Sequence, residues 1–434
     1  MNENQYPIEV AWTDLEAIVG REYIWPGCSR DMIDGLQPAK VIAPADAQEI
    51  AKVLQYCSSA GLAVIPRGSG TKLDWGNRPQ KADLVLSTER LNRVIEHAWG
   101  DMTTTVEGGC TIASLQHTLK EHGQFLAADP LWPERATIGG LLATADNGTL
   151  RLRYGGVRDL VLGVEVVLPD GNVIKAGGKV VKNVAGYDLT KLVIGSLGTL
   201  GVITKATFRL HPIPVATATY STSLSSTADA TELVLAILNS QLVYTGLQLR
   251  ANTPQQIAVD IRFEGILESL QDQCAKLSKV AGDAPFVQAS NDVWKARQEM
   301  FSHAEHSVIC KCSVLPAQVG LLCEAVFARA QSATVTAIVV AQATGVADVR
   351  FNAARVLSGV DVSNGLRAEL DQLDGTLVVK QCPIAVKEAL DVWGAVKDAL
   401  PVMQQIKEKF DPARTLNPGR FVGAYDRRSG RNPS

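Results

Sequence analysis

Glycine is concentrated in four short clusters between residues 66 and 203, and no other feature constrains the chain as tightly. The first, Pro66-Arg-Gly-Ser-Gly-Thr-Lys-Leu-Asp-Trp-Gly76, follows the apolar run Leu62-Ala-Val-Ile65 and carries Arg67 and Lys72. The second, from Asp129 to Thr144, places Gly139-Gly140 just inside a short helical pattern. The third sets Lys179 and Lys182 beside Gly186-Tyr187, and the fourth spaces Gly195, Gly198 and Gly201 three residues apart as they run into a strand. A single cluster is commonly a turn. Four of them imply backbone lying against a large ligand, because close backbone approach is what a residue without Cβ permits.

The first cluster fits neither common phosphate motif. A Walker A loop needs Gly-Lys-Ser/Thr opening a helix, and here Thr71-Lys72 follow Gly70 in the wrong order. A dinucleotide fingerprint needs a third glycine where Leu73 stands. What remains is a backbone nest: Gly68 and Gly70 are free to take positive φ and turn N–H groups toward an anion, with Arg67 and Thr71 adding donors.

From Lys40 to Leu210 short β-rich runs alternate with helical patterns. Asp46-Ala-Gln-Glu49 reads as a capping-box start, with Ile50, Val53, Leu54 and Cys57 recurring at helical spacing up to Gly61. Arg93 to Glu107 reads as two strands around Gly100-Asp101, and Thr111 to Gly123 as a helix. Leu160–Leu168, Pro-Asp-Gly171 and Val173-Ile174 form a hairpin signature, and Gly201–Leu210 is a further strand. His211-Pro-Ile-Pro214 breaks regularity and marks a domain boundary. Beyond it, strand and helix signals such as Leu247–Arg250, Ile257–Phe263 and Leu267–Val280 indicate a compact α+β domain to about residue 403. The tail from Asp426 is polar.

At 434 residues the chain is long for one core, and a net charge of −3 without a Lys/Arg block argues against nucleic acid as a partner. No run approaches the roughly 18 to 20 apolar residues that span a bilayer, and the N-terminal residues lack a secretory pattern. A cytoplasmic protein without a transmembrane segment is expected. Of eight cysteines only Cys310-Lys-Cys312 are close together, so no iron–sulfur cluster is expected in this chain. Alternation along a strand places both thiols on one face. The six histidines are scattered apart from His303 and His306, which suit a helix end more readily than a metal, and no metal site is expected.

The order PRGSGTK, ATIGG, RYGGVRDLVLGVEVVLPDG and GGKVVKNVAGYDLTKLVIGSLGTLGVIT resembles the FAD-binding domain of the vanillyl alcohol oxidase and p-cresol methylhydroxylase (PCMH) type. Within that superfamily it is similar to the FAD-binding E subunits of bacterial glycolate oxidase (glycolate dehydrogenase) complexes. Phe410-Asp-Pro-Ala-Arg-Thr-Leu-Asn-Pro-Gly-Arg-Phe421 resembles the family's closing motif, which returns the chain to the flavin domain. The resemblance implies an α+β fold: an N-terminal extension over 1–37, a two-subdomain PCMH-type FAD domain over 38–213, and a smaller α+β cap domain over 214–403. A returning segment over 404–425 and a tail over 426–434 complete it.

It also implies that Arg67, Gly68, Ser69, Gly70, Thr71 and Lys72 wrap the FAD pyrophosphate. Asp129, Thr137, Ile138, Gly139, Gly140, Ala143 and Thr144 would line the flavin and ribityl chain. Gly198, Gly201, Val202 and Ile203 would border the adenosine. Relatives that attach FAD covalently use a histidine in the first loop; residues 66–76 contain none, so noncovalent FAD is expected.

Oxidising a 2-hydroxy acid on a flavin needs a cation for the carboxylate, a base for the hydroxyl proton, and the reacting carbon against the ring. The late His-x-Gly-Asp-Gly-Asn-x-His motif of catalytic relatives is absent from this sequence. Trp294, Arg297 and Phe301, at helical spacing, resemble the W-x-x-R segment of the family's cap domain and make Arg297 and Trp294 candidates for the substrate site. The same stripe fits an amphipathic helix with a solvated arginine. Tyr187 and Lys182 are alternatives near the flavin. The resemblance implies a subunit oxidising glycolate to glyoxylate beside a second FAD-containing subunit and an iron–sulfur subunit, peripheral at the inner membrane through those partners. A self-sufficient D-lactate or D-2-hydroxyacid dehydrogenase and a non-catalytic flavin-fold assembly subunit remain alternatives.

Overall fold

The computed structural model describes residues 12–178, 188–301, 306–352, 355–396 and 398–423. Its contacts divide the chain into two units, one of residues 1–146, 156–212 and 395–434, the other of residues 147–155 and 213–394. The segment expected as an extension contributes a strand, Ile24–Pro26, to the first unit's sheet, and the C-terminal segment also belongs to that unit.

The first unit holds two larger sheets. In one, the strands run Ile24–Pro26, Lys40–Ile42, Leu84–Ser87, Val64–Arg67, the last three mutually parallel. The helix Ala47–Ser59 crosses between the parallel strands. Asp46 starts it by accepting from the amides of Gln48 and Glu49 at 2.8 and 2.9 Å, while Glu49 reaches back to the amide of Ala45 at 2.7 Å. Ile50, Val53, Leu54 and Cys57 are buried as their spacing requires. The other sheet is antiparallel in the order Val94–Ala98, Thr103–Glu107, Val202–Arg209, Val161–Val167, Val173–Gly177. The hairpin signature pairs Val167 with Val173 across its Pro-Asp-Gly turn.

The second unit is built on an eight-stranded antiparallel sheet. Its order is Val287–Gln288, Ala216–Leu224, Gln256–Gly265, Gly246–Thr253, Thr336–Gln342, Val346–Asn352, Ser307–Ser313, Thr376–Gln381. Period-two alternation divides it sharply. Leu249, Val259, Phe263, Cys310, Cys312 and Phe351 face a core shared with the helices Thr227–Leu238, Leu267–Ala281 and Val319–Ser332. The intervening residues, among them Arg250, Asp260, Lys311, Asp348 and Lys380, lie on the other face.

Candidate functional site

The strand Val64–Arg67 delivers the first glycine loop to the wall of a groove lined entirely by the first unit. The empty space in the groove is about 750 Å³, its open mouth included, which is the size class of a ligand cleft. Every residue from Arg67 to Lys72 lines it, as do Thr137, Gly139, Gly140, Ala143 and Thr144, and Gly198, Gly201, Val202 and Ile203. Two expected residues stand outside the lining: Asp129 is half-buried elsewhere, and Ile138 points into the interior as the first residue of the helix Ile138–Thr144. Tyr187, Lys182 and His303 lie outside the described residues.

The glycines do not all serve the groove. Gly70 and Gly198 take φ of +79° and +66°, the left-handed region that favours glycine. Gly68 does not. A Cβ there would sit 2.1 Å from Thr137 Oγ1, so this glycine lets the loop touch the cap of the neighbouring helix. A Cβ on Gly201 would meet Val166 Cγ1 at 2.5 Å. Packing between protein segments therefore accounts for part of the glycine clustering that the sequence attributes to a ligand.

The donors available to an anion are sharply distributed. At the start of the helix Ile138–Thr144 every early amide has an acceptor: Ile138 bonds Cys110 O at 2.9 Å, Gly139 bonds Gly108 O at 2.7 Å, and Gly140 bonds the Thr137 hydroxyl at 3.3 Å. In the loop the opposite holds. Among the described residues the amides of Gly68, Ser69, Gly70 and Thr71 meet no acceptor. The loop's cations are paired: Arg67 Nη1 lies 2.6 Å from Asp31 Oδ1, and Lys72 Nζ 2.8 Å from Asp146 Oδ2. Burial would raise the Asp31 carboxyl, but hydrogen bonds from Arg67, the Cys28 thiol and the Cys28 amide outweigh it and hold it below the usual carboxylate range.

The C-terminal segment completes the groove with two residues that sequence reasoning placed near the flavin domain without assigning to the site. Asn417 donates its amide to Leu197 O at 2.8 Å, and its buried Oδ1 has no partner among the described residues. Arg420, fully buried, donates to the carbonyls of Leu73 and Trp75. The closing motif carried the signal, because a Pro-Gly turn flanked by Asn and Arg was present in it.

Residues 38–177 match the family of the FAD binding domain, and residues 394–421 match the C-terminal domain of FAD linked oxidases. The first unit is built on an FAD binding domain. The chain is 33% identical to the glycolate oxidase subunit GlcD of Bacillus subtilis over 258 residues, 59% of this chain and 54% of that protein. It is 40% identical to a D-lactate dehydrogenase of Archaeoglobus fulgidus over 173 residues, 40% of this chain and 38% of that one. The chain thus spans about half or less of the length of these curated relatives. Its fold is that of p-cresol methylhydroxylase with substrate bound, with a TM-score of 0.72 at 16% identity over 94% of this chain and 95% of that one. Alkyldihydroxyacetonephosphate synthase matches at 0.74 and 17% identity, over 94% and 85%.

The residues present fit FAD. Residues 68–71, whose amides meet no acceptor among the described residues, line the groove beside cations, no carboxylate lines it among the described residues, and Leu73, Leu197, Val202 and Ile203 offer apolar surface for rings. No helix among the described residues is long and apolar enough to cross a membrane.

The second unit carries a different cluster on the polar face of its sheet. Arg297 is not a solvated helix residue. It is buried, and its Nε lies 2.7 Å from Asp348 Oδ2, because the expected helix is only the short turn Ala296–Glu299 after a 3-10 segment. Trp294 donates Nε1–H to Thr219 Oγ1 at 3.1 Å and takes the Arg262 guanidinium over its ring at 4.9 Å. Phe301 is buried, with Lys380 Nζ at 5.9 Å from its ring centroid. Lys380 Nζ also lies 3.1 Å from Asp348 Oδ1, and Lys311 is the cross-strand neighbour of Asp348.

Arg297 and Lys380 thus pair with Asp348, Lys311 stands beside it on the neighbouring strand, and the charge of Arg151 acts on Lys311. Burial first, and then the charges of Lys380, Arg151 and Arg297, push the Lys311 ammonium down to about 8 against the opposing pull of Asp348. Burial would raise Asp348, but Lys380 and Arg297 hold it below its usual range. Lys311 and Lys380 were missed from sequence. A lysine between two core-facing thiols was the available signal for Lys311.

Proposed function

We propose that this chain is the FAD-binding subunit of a glycolate (2-hydroxyacid) oxidising complex, passing electrons to an iron–sulfur partner beside a second FAD-containing subunit. The observation that carries the substrate class is the gathering of Arg297, Lys380 and Lys311 at Asp348 in the second unit. Cations gathered in this way favour an anion among them, and a small carboxylate supplies that charge. Glycolate oxidase and D-lactate dehydrogenase in the names of relatives agree with a 2-hydroxy acid.

In this reading the amides of Gly68–Thr71 hold the FAD pyrophosphate and Lys311 holds the acid's carboxylate. When bound, the flavin accepts the two electrons released as the hydroxy acid becomes a 2-oxo acid. Arg297 and Lys380 act on the carboxylate through the Asp348 network, which fixes their positions around Lys311. Phe301 packs against Lys380 at the edge of that network.

Reduction of the purified flavoprotein by glycolate tests the assignment. Bleaching of the visible flavin band only when the partner subunits are added supports a relay subunit. Rapid bleaching by the isolated chain supports a self-sufficient dehydrogenase instead, and bound flavin that no hydroxy acid bleaches under either condition overturns the activity. The groove lining includes no histidine, cysteine or tyrosine among the described residues, which supports noncovalent FAD. Denaturation and precipitation should leave the yellow colour in the supernatant; colour that stays with the pellet refutes this.

A further inference from the structure

The cations of a phosphate loop ordinarily face the phosphate unpaired, and here both are already engaged by carboxylates from outside the loop. Asp31, on the 3-10 turn Ser29–Asp31, closes on Arg67, and its other oxygen accepts from the Cys28 amide and thiol at 3.0 and 3.1 Å. Asp146, just past the helix Ile138–Thr144, closes on Lys72 and accepts from the Leu131 amide at 2.9 Å. Both carboxylates are almost fully buried, at 3% and 0% side-chain exposure, so solvent screens these pairs little. Neither acid belongs to the glycine cluster.

We infer that Asp31 and Asp146 are positioning residues that hold Arg67 and Lys72 as closed ion pairs, leaving the amides of Gly68–Thr71 as the anion-binding element of the loop. This rests on the reading that the loop holds the FAD pyrophosphate. Two consequences follow from the charges. A loop whose cations are neutralised attracts the cofactor through short-range amide bonds, so its affinity is insensitive to salt. Removing one carboxylate charge while keeping an acceptor for the cation, as Asp31→Asn or Asp146→Asn does, returns a net positive charge to the loop beside a dianion.

The experiment is a titration of FAD into the deflavinated full chain at about 0.05 M and about 0.5 M salt, across which the screening length falls from roughly 14 to 4 Å. The wild-type Kd should change by less than about threefold, while each Asn variant should bind about tenfold tighter at low salt and lose that gain at high salt. A larger wild-type salt dependence, or Asn variants that bind no tighter than wild type, overturns the inference. A purely structural role would weaken binding equally at both salts. Should Asp31→Asn fail to fold, the wild-type salt dependence and Asp146→Asn decide the matter. A wild-type chain that takes up no FAD at either salt overturns the loop assignment itself, an outcome distinct from salt-sensitive binding.

Discussion

Gly109→Ala is expected to lower the stability of the first unit by about 3 kcal/mol or more, through overpacking that the backbone alone must absorb. A Cβ at this position would lie 1.9 Å from Thr88 O and 2.8 Å from Leu91 O, both carbonyl oxygens of the main chain rather than ends of side chains that rotate away. The Gly109 amide is meanwhile committed to Leu91 O at 2.7 Å, so the segment has no freedom to retreat without losing that bond. Its neighbour Gly108 is held as firmly, donating to Thr204 O at 2.8 Å and accepting from Gly139 at 2.7 Å. The pair therefore joins the strand Thr103–Glu107 to the helix and strand that line the groove proposed for FAD, and a shift there propagates into the groove. Thermal unfolding followed by flavin fluorescence checks this. Gly109→Ala should release FAD on the order of 6–12 °C earlier than wild type, whereas Gly100→Ala, whose added methyl meets nothing within 4 Å, should not. A Gly109→Ala protein that melts with the wild type would show that the contact relaxes freely.

The contrast between those glycines also marks how far sequence carries. The helix Ala47–Ser59 was readable because its cap and its apolar spacing are local, and the shared face of Cys310 and Cys312 followed from alternation alone. The first glycine loop was readable as a donor-rich loop after a strand for the same reason: donors, glycines and the preceding strand are contiguous. What could not be read was pairing across sequence. Asp31 and Asp146 reach Arg67 and Lys72 from outside the motif, and nothing in PRGSGTK reveals that its cations are neutralised. Gly68 and Gly109 were indistinguishable in sequence from glycines that face a ligand, since only the folded chain brings Thr137 and Thr88 against them. Arg297 was readable as a cation but not as a partner of Asp348, which lies on a strand that the sequence does not connect to it.

Lys311→Met is expected to raise the KM for the hydroxy acid and, at the same time, to stabilise the protein. The two effects have one cause. In the free protein burial first, and then the charges of Lys380, Arg151 and Arg297, outweigh the pull of Asp348 on the ammonium, and its charged form is therefore held at a disadvantage. Unfolding releases it to the ordinary lysine range. The folded pKa, about 8, lies below the ordinary lysine value of 10.5, so the unfolded chain binds more protons between those two pH values. Stability from this group consequently rises with pH across that window and is at its lowest below it. Replacing the ammonium with a methyl-terminated chain of similar length removes the penalty at neutral pH, so the melting temperature should increase and its dependence on pH between 8 and 10.5 should flatten. The carboxylate of the substrate, by contrast, loses its charge partner, at a cost of about 2–3 kcal/mol or roughly 30- to 150-fold in KM. In the wild type the same KM should climb as pH rises through 8, where Lys311 gives up its proton, and that rise should be missing from the variant. A lysine that merely packs the sheet would behave differently, since its removal would lower the melting temperature and leave the pH profile of KM in place.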